Sequence, residues 1–258
     1  ILSGLVGSEM CIRDRVSIGL FPDVGGSWLL NRMPGRTGVF LALTGAQLST
    51  ADAFFAGLAD FRLNHEDWPK LLESLQEQPW AGQATGGAED AIPPRSINDG
   101  LLRRALTALE PQTPLEVGNL RQHSFLINSV CSGNRLDEIV EELAALKDHA
   151  DPWLARAAKT MLAGSPGSLR LSFALQQRMR LRSLDDVFRA EYVAALHCTT
   201  QGDFAEGIRA LLIDKDKNPR WNPAVLDMAT EAWVQRFFDE PWPAGQPHPL
   251  DDLGKEGR

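Results

Sequence analysis

The sequence predicts an α/β fold that becomes largely α-helical after residue 95, and two patterns lead to this prediction. A short apolar run with β-branched residues, 16–21, meets Pro22-Asp23 and then Gly25-Gly26, an order typical of a strand end, a tight turn and a helix start. From Leu115 onward, almost every segment repeats its apolar residues at helical spacing. We therefore expect one strand end followed by a long helical region.

Local signals after the glycine pair predict compact helices. The apolar segment 37–44 predicts a helix that Gly45 stops, and Ser49 or Thr50 is the predicted N-cap of the next short helix. Segment 65–78 has apolar residues on one face and charged residues on the other, which predicts a surface helix. Further helices are predicted over 120–131, 136–146, 152–163, 168–181, 184–200 and 204–213, with a last one near 227–238.

Composition shifts divide the chain into five predicted regions. Residues 79–95 are rich in Gly, Ala, Gln and Pro, so we place a loop and a domain boundary there. The core ends in 16–78, and 96–240 forms the helical carboxyl-terminal region. The Pro- and Gly-rich tail, 241–258, is expected to be disordered.

Residues 1–15 differ in character from all that follows. They have neither helical nor strand periodicity, and the pattern changes abruptly at Val16. Segment 6–15 resembles a translated sequencing adapter, so we expect 1–15 to be an artefact, the alternative being a disordered arm. The chain also begins with Ile1 rather than Met, and we expect it to be a fragment.

Composition and charge exclude several classes of protein. The 258 residues carry a formal net charge of -8 and no cluster of Lys or Arg, which argues against nucleic acid or an anionic membrane as partner. Three widely spaced cysteines indicate neither a disulfide framework nor a zinc cluster, so a reducing cytoplasm is the expected location. No apolar stretch reaches the roughly 18 residues of a membrane span. The acidic residues of 137–142 are interpreted as a solvated helix face, and no metal or cofactor is predicted.

Three sets of segments carry recognisable motifs: 16–27 (VSIGLFPDVGGS) with 40–45 and 56–60; 127–129 with 136–140; and 165–169 with 202–210 and 214–216. In their order and spacing, they together resemble the 3-hydroxyisobutyryl-CoA hydrolase branch of the crotonase (enoyl-CoA hydratase/isomerase) superfamily. Within the first set, Asp23 stands where ordinary hydratases have a small residue, which favours the hydrolase branch.

The resemblance implies a core of stacked β-β-α turns that binds acyl-CoA. Two backbone N–H groups would hold the thioester oxygen, and both would come from segments upstream of this region. The catalytic Glu of the branch aligns with Arg15, so this chain is expected to be inactive as written. Asp23 is expected to accept a hydrogen bond from the substrate 3-hydroxyl and to orient that Glu. The alternative for Asp23 is a cap on a helix that begins near Val24.

Four further residues are weaker candidates for substrate contact. Gly25 and Gly26 could shape the substrate pocket, although tight packing explains a glycine pair equally well. Arg209 and Lys215 are candidates for the CoA phosphates, against the alternative that they simply face solvent. His197 and Cys198 are adjacent on a predicted helix, so their side chains diverge and cannot form a nucleophile-base pair.

The leading hypothesis is hydrolysis of 3-hydroxyisobutyryl-CoA, a step in valine breakdown, to the free hydroxy acid and CoA. Two alternatives remain: an enoyl-CoA hydratase or isomerase, and a non-catalytic assembly module, which an authentic Arg15 favours. Acyl-CoA is the expected partner, and a homo-oligomer is left open. Without upstream strands, apolar edges around Ile18, Leu20 and Leu41 would be uncovered, so the fragment is expected to aggregate.

Overall fold

The computed structural model describes residues 15–82 and 94–255, and these form two compact units. The first comprises the described residues within Ser49–Gly118. The second combines the described residues up to Leu48 with those from Asn119 onward. The boundary that the sequence predicts at 79–95 lies largely outside the described residues and stays a prediction. Residues 1–14 also lie outside them, so the predicted artefact or disordered arm stays a prediction as well.

Helices account for all the regular secondary structure of the described residues, which contain no β-strand. The α-helices are α1 (Gly26–Leu30), α2 (Thr37–Thr44), α3 (Thr50–Phe55), α4 (Trp68–Glu77), α5 (Pro94–Ala108), α6 (Asn119–Gln122), α7 (Ser124–Val130), α8 (Leu136–Ala144), α9 (Pro152–Ala163), α10 (Pro166–Arg178), α11 (Leu184–Gln201), α12 (Phe204–Ile208) and α13 (Glu231–Gln235). Short 3-10 turns cover Val16–Ile18, His65–Asp67, Ala145–Asp148, Leu226–Met228 and Arg236–Phe238, and a π-helical turn covers Arg209–Ile213. The predicted helical character after residue 95 is confirmed.

The predicted strand end at 16–21 is wrong. Val16–Ile18 form a 3-10 turn in which the Arg15 carbonyl accepts hydrogen bonds from the N–H groups of Ile18, at 3.2 Å, and Leu20, at 2.8 Å. The Val16 carbonyl accepts from Ser165 N at 3.0 Å, so this backbone pairs with a helix end rather than with a strand. The β-branched residues of the run indicated burial, which the turn also provides.

Helix packing covers the apolar residues that were expected to be exposed. Leu20 is 7% exposed and Leu41 only 1%. Leu20 and Phe21 lie in a buried cluster with apolar residues of α10 and α11, and α2 packs against α10. Ile18 packs against the same cluster. The expectation of uncovered apolar edges is therefore wrong for these residues, so they give no reason to predict aggregation. Aggregation of the fragment itself stays a prediction.

The first unit depends on local signals that the sequence shows. Ser49 is the N-cap of α3: its hydroxyl accepts from Asp52 N, and Asp52 Oδ2 accepts from Ser49 N at 2.9 Å. This reciprocal pair satisfies two N–H groups that a helix start would otherwise leave unpaired. Helix α4 starts with Pro69 in its first turn and buries Leu71, and it packs against α5.

The described part of the tail contacts α11. Arg189 of this helix donates from Nε to the Leu250 carbonyl at 2.9 Å, and His248 bonds the Arg189 carbonyl at 3.2 Å. Tyr192, one turn along, contacts the rings of Trp242 and His248. Residues 241–255, for which the sequence predicts disorder, are thus placed along the outer side of α11.

Candidate active site

The Asp23 loop connects a buried turn to a short helix through two left-handed residues. Leu20 and Phe21 are buried, and Val24 and Gly25 follow Asp23 with φ angles of 56° and 79°. Helix α1 then begins at Gly26, with Gly25 as its N-cap and no side chain capping it. The alternative that Asp23 caps a helix beginning near Val24 is therefore wrong. The Asp23 side chain is therefore not used to cap a helix.

Asp23 forms an ion pair with Arg15. The distance between Arg15 Nη2 and Asp23 Oδ1 is 3.0 Å, and the two side chains are 21% and 24% exposed. The resemblance implies a catalytic Glu at position 15 that works with Asp23. In the structure, the side chains at positions 15 and 23 are in contact. What differs is the charge, because Arg15 neutralises the carboxylate instead of adding a second one.

Glu191 is a buried carboxylate behind the same loop that sequence reasoning missed. It lies in α11, is 3% exposed, and accepts hydrogen bonds from Gly25 N at 2.7 Å and Ser27 N at 2.9 Å. Burial raises the pKa of the Glu191 carboxyl, and the nearby charge of Asp23 also contributes to this rise. The signal was present in the sequence, since Val187, Glu191, Ala194 and Cys198 follow helical spacing on one buried stripe. A carboxylate on such a stripe indicates a specific partner.

A different structural constraint requires glycine at each of the two positions, Gly25 and Gly26. Gly25 adopts a φ of 79°, which side chains with a Cβ rarely adopt. Gly26 has an allowed φ, but a Cβ there would lie 3.0 Å from Cβ of Pro22. The packing alternative for the pair thus has direct support, while a contact with substrate stays a prediction.

Arg209 is surrounded by carboxylates. It donates to Glu206 from Nε and Nη2, at 2.8 and 2.7 Å, and from Nη1 to Asp214 and Asp216, at 2.6 and 2.7 Å. Lys215 is exposed between these aspartates in a left-handed backbone conformation, with a φ of 57°. These carboxylates occupy the guanidinium donors of Arg209, which disfavours its use for the CoA phosphates. Binding of phosphate by Arg209 and Lys215 therefore stays a prediction.

The Arg209 cluster predicts acid sensitivity. Hydrogen bonds from Arg209 lower the pKa of Glu206 to about 2. Because the folded-state pKa lies below the ordinary glutamate value, the cluster stabilises the fold above that value, and this contribution disappears as the pH falls toward 2. Titration of the Glu206 carboxyl carbon by NMR should give a midpoint near the lower value. Arg209→Gln should move the midpoint back up, and an unchanged midpoint in that variant would contradict the assignment.

Nearly the whole described chain matches a known protein family. The sequence profile of the family described as "Enoyl-CoA hydratase/isomerase" matches residues 14–238. The chain belongs to this family. The match includes the Asp23 loop, position 15 and Glu191, so the residues assembled above all lie in the matching region. The fold predicted from the resemblance, the carboxyl-terminal part of a crotonase-like fold, is confirmed.

Curated relatives of this enoyl-CoA hydratase/isomerase family member share about a third of its residues. The chicken (Gallus gallus) protein named "3-hydroxyisobutyryl-CoA hydrolase, mitochondrial" is 34% identical over 225 residues, covering 86% of this chain and 54% of the relative. The human (Homo sapiens) protein of the same name is 31% identical over 238 residues, covering 90% and 57%. The chain thus spans about half the length of these relatives.

Two solved structures resemble the chain at similar identity. One is an enoyl-CoA hydratase from Rhodobacter sphaeroides, with a TM-score of 0.66 and 31% identity, covering 87% of this chain and 57% of that one. The other is a carnitinyl-CoA dehydratase from Mycobacterium thermoresistibile, with a TM-score of 0.67 and 30% identity at the same coverage. Both proteins are named for reactions other than thioester hydrolysis.

The cysteines of this family member that the structure describes are poor nucleophiles. Burial raises the pKa of the Cys131 and Cys198 thiols to about 12 in each case, so both stay protonated at neutral pH. His197 bonds the Asp239 carbonyl at 2.7 Å. Neither residue of the His197-Cys198 pair lies in a nucleophile-base arrangement, in agreement with the sequence prediction.

Among the described residues, no group of three or more His, Cys, Asp or Glu side chains could hold a metal ion. On the acidic face of α8, Asp137 instead pairs with Arg170 at 2.9 Å, and Glu141 and Glu142 are exposed. In the same part of the chain, no helix combines the length and the apolar character that crossing a membrane requires.

Proposed function

We propose that the complete protein, meaning the protein of its relatives' length that contains this region and carries glutamate in place of Arg15, hydrolyses 3-hydroxyisobutyryl-CoA or a related 3-hydroxyacyl-CoA. The water oxygen bonds to the thioester carbonyl carbon, the C–S bond breaks, and the free hydroxy acid and CoA are the products. A place in valine breakdown and a cytoplasmic location belong to the same proposal. Acyl-CoA is the proposed partner, and light scattering on the complete protein would measure its oligomeric state.

The observation that supports this proposal is the disposition of Asp23. Its carboxylate is partly exposed and contacts the side chain at position 15, where the resemblance places the catalytic Glu. A carboxylate there can accept a hydrogen bond from a substrate hydroxyl, and an acyl chain without that hydroxyl would leave it unpaired. The names of the curated relatives agree with a hydroxylated acyl-CoA as substrate.

The oxyanion donors are proposed to lie outside the Asp23 loop. The N–H groups of Gly25 and Ser27 both donate to Glu191, so neither is available for a thioester oxygen. An oxyanion hole needs donors aimed at the position where the negative charge develops. Within the proposal, these donors belong to another segment of the complete protein, and Asp23 reads the acyl chain.

A hydratase or isomerase is the second candidate, and the names of the two structurally similar proteins favour it. Two assays on the complete protein separate the candidates. A thiol-reactive dye detects CoA released from 3-hydroxyisobutyryl-CoA, and loss of enoyl absorbance detects hydration of crotonyl-CoA. Thiol release without hydration supports the hydrolase, and the reverse result would replace it by the hydratase. Absence of both activities would support the assembly module.

Asp23→Asn should selectively impair the hydroxylated substrate. A hydrogen bond to a charged group contributes about 1.5 to 3 kcal/mol, so kcat/KM for 3-hydroxyisobutyryl-CoA should fall roughly tenfold to hundredfold. Hydrolysis of isobutyryl-CoA, which lacks the hydroxyl, should fall much less. Asp148→Asn is the matched control, because Asp148 is an exposed carboxylate in the Ala145–Asp148 turn. Equal losses on both substrates would show that Asp23 does not read the hydroxyl.

A further inference from the structure

Glu191 is buried without being part of an ion pair in the described structure. Its two carboxylate oxygens instead accept one backbone N–H each, from Gly25 and Ser27, which lie more than 160 residues earlier in the chain. A buried carboxylate is costly unless its hydrogen bonds are satisfied, and a packed apolar side chain would fill this position of α11 at lower cost. The fold therefore retains a polar group that accepts hydrogen bonds from the backbone at the N-cap and first turn of α1, directly after Asp23.

That loop has a backbone conformation that needs support. Val24 has a φ of 56°, in the left-handed region that a β-branched residue strongly disfavours, and Gly25 follows in the same region. The Val24 side chain is 76% exposed, so burial of its methyl groups does not compensate for the strain. Residues held in such conformations persist only where neighbouring contacts impose them. The first contact after Val24 is the bond from Gly25 N to Glu191.

The strained turn fixes the direction of the Asp23 side chain. The Asp23 carbonyl accepts a hydrogen bond from Gly26 N at 2.9 Å, which closes the turn around Val24 and Gly25. On the inner side, the N–H groups of Gly25 and Ser27 face Glu191; on the outer side, the Asp23 carboxylate meets the side chain at position 15. A relaxed Val24 would rotate the peptide between these two sides and move the carboxylate.

We propose that Glu191 is a positioning residue, which holds the left-handed Val24-Gly25 turn and so directs the Asp23 carboxylate toward the acyl chain. This inference deepens the proposed hydrolase function and rests on it. Glu191 does not touch the substrate. It acts through Asp23, because its carboxylate accepts hydrogen bonds from the backbone N–H groups of Gly25 and Ser27, which follow Asp23.

The first test uses the 258-residue chain itself and needs no activity. Glu191→Gln keeps the side-chain shape but has only one accepting oxygen, so one of the two N–H bonds is lost. Amide hydrogen exchange at Gly25 or Ser27, followed by NMR, should accelerate by about tenfold or more, as expected for a local opening. Glu141→Gln, the same change at an exposed site on α8, should leave these amides unchanged. Unchanged exchange in Glu191→Gln would overturn the proposal.

A second variant separates support of a strained turn from simple packing. Val24→Gly removes the left-handed strain, because glycine adopts positive φ readily, and it removes no buried side chain. In the Glu191→Gln background, Val24→Gly should restore most of the lost thermal stability, including in the case where Glu191→Gln alone does not fold. If Val24→Gly destabilises both backgrounds equally, Glu191 does not support the strained turn and the proposal fails.

The third measurement connects the loop to the reaction in the complete protein. Glu191→Gln should lower kcat for 3-hydroxyisobutyryl-CoA on the order of tenfold, since misplaced groups react slowly. In an Asp23→Asn background, the same change should have less than about a twofold effect, because residues acting through one another are not additive. Independent, multiplicative losses would overturn the positioning role. A complete protein that releases no thiol would refute the proposed function alone, and the exchange and rescue experiments would still decide whether Glu191 holds the turn.

Discussion

Replacing Arg15 by glutamate in a protein of the relatives' length is expected to raise the rate of thioester hydrolysis by about a hundredfold or more, since a positioned general acid or base contributes 10² to 10⁴-fold. The expectation follows from the contact between Arg15 and Asp23. A glutamate at position 15 would lie beside Asp23, where the proposed mechanism needs an acid, base or nucleophile at the thioester carbonyl. With Arg15 retained, thiol release should stay about a hundredfold or more below that rate.

The same substitution should reduce stability. It removes the Arg15–Asp23 ion pair, in which both side chains are less than a quarter exposed, and it places two carboxylates side by side. Partly exposed ion pairs contribute up to about 1 kcal/mol, so a loss of that order in the free energy of unfolding is expected at neutral pH. Higher activity with lower stability is typical of functional sites, where like charges are held together.

Arg15→Gln is the matched control. It removes the ion pair without supplying an acid or base, so it should cost similar stability and gain no activity. Denaturant unfolding and thiol release, measured on the three proteins, separate the two effects. If Arg15→Glu hydrolyses no faster than Arg15→Gln, position 15 is not catalytic, and the hydratase and assembly-module alternatives gain support.

The sequence predicted the elements whose signals are local. The helix over Thr37–Thr44 and its end at Gly45, which has a φ of 58°, were both correct, because an apolar run and a glycine C-cap act within a few residues. The Ser49 cap was correct for the same reason. The strand at 16–21 was wrong because its apolar, β-branched residues indicate burial in either a strand or a turn. Choosing between them requires knowing the partner, here Ser165 at the N-cap of α10.

The site was predicted only where the family motif marks it. Asp23 and position 15 stand in that motif, and the structure brings them together. Glu191 was missed because its partners, Gly25 and Ser27, lie far away in sequence, and a helical glutamate is usually solvent-facing. Arg209 was considered for phosphate because the sequence does not show that Asp214 and Asp216 fold back onto its guanidinium. Contacts over long separations, and turns that reverse the chain, are the features that periodicity does not encode.

Gly207→Ala is expected to cause the largest loss of stability of any change considered. Gly207 is buried in α12, and a Cβ added to it would lie far inside van der Waals contact with the backbone carbonyl of Ile18. A backbone carbonyl cannot turn aside as a side chain can, so α12 or the Val16–Ile18 turn must move. Overpacking a core by one methyl group costs about 1 to 3 kcal/mol and occasionally more, and a contact with backbone belongs at the upper end.

Gly100→Ala should raise the free energy of unfolding instead of lowering it, and it serves as the control. Gly100 is also a helix-interior glycine, in α5, and the nearest atom to an added Cβ is the end of a flexible side chain, Arg104 Nη1, at 3.8 Å. Without a clash, Ala should stabilise this helix by about 0.5 to 1 kcal/mol, the difference in helix propensity. Both values come from denaturant unfolding followed by circular dichroism. Equal effects at the two positions would mean that α12 does not pack on Ile18 as described.

Gly207→Ala should also disturb the candidate active site, because the displaced Val16–Ile18 turn is followed closely in the chain by Asp23. Arg15 precedes Val16–Ile18, and its carbonyl accepts the Leu20 N–H at 2.8 Å, so movement of the turn shifts position 15 relative to the loop that Glu191 holds. In the complete protein, Gly207→Ala should therefore lower kcat even at temperatures where the protein remains folded. An unchanged kcat in a folded Gly207→Ala protein would show that the turn and the Asp23 loop move independently.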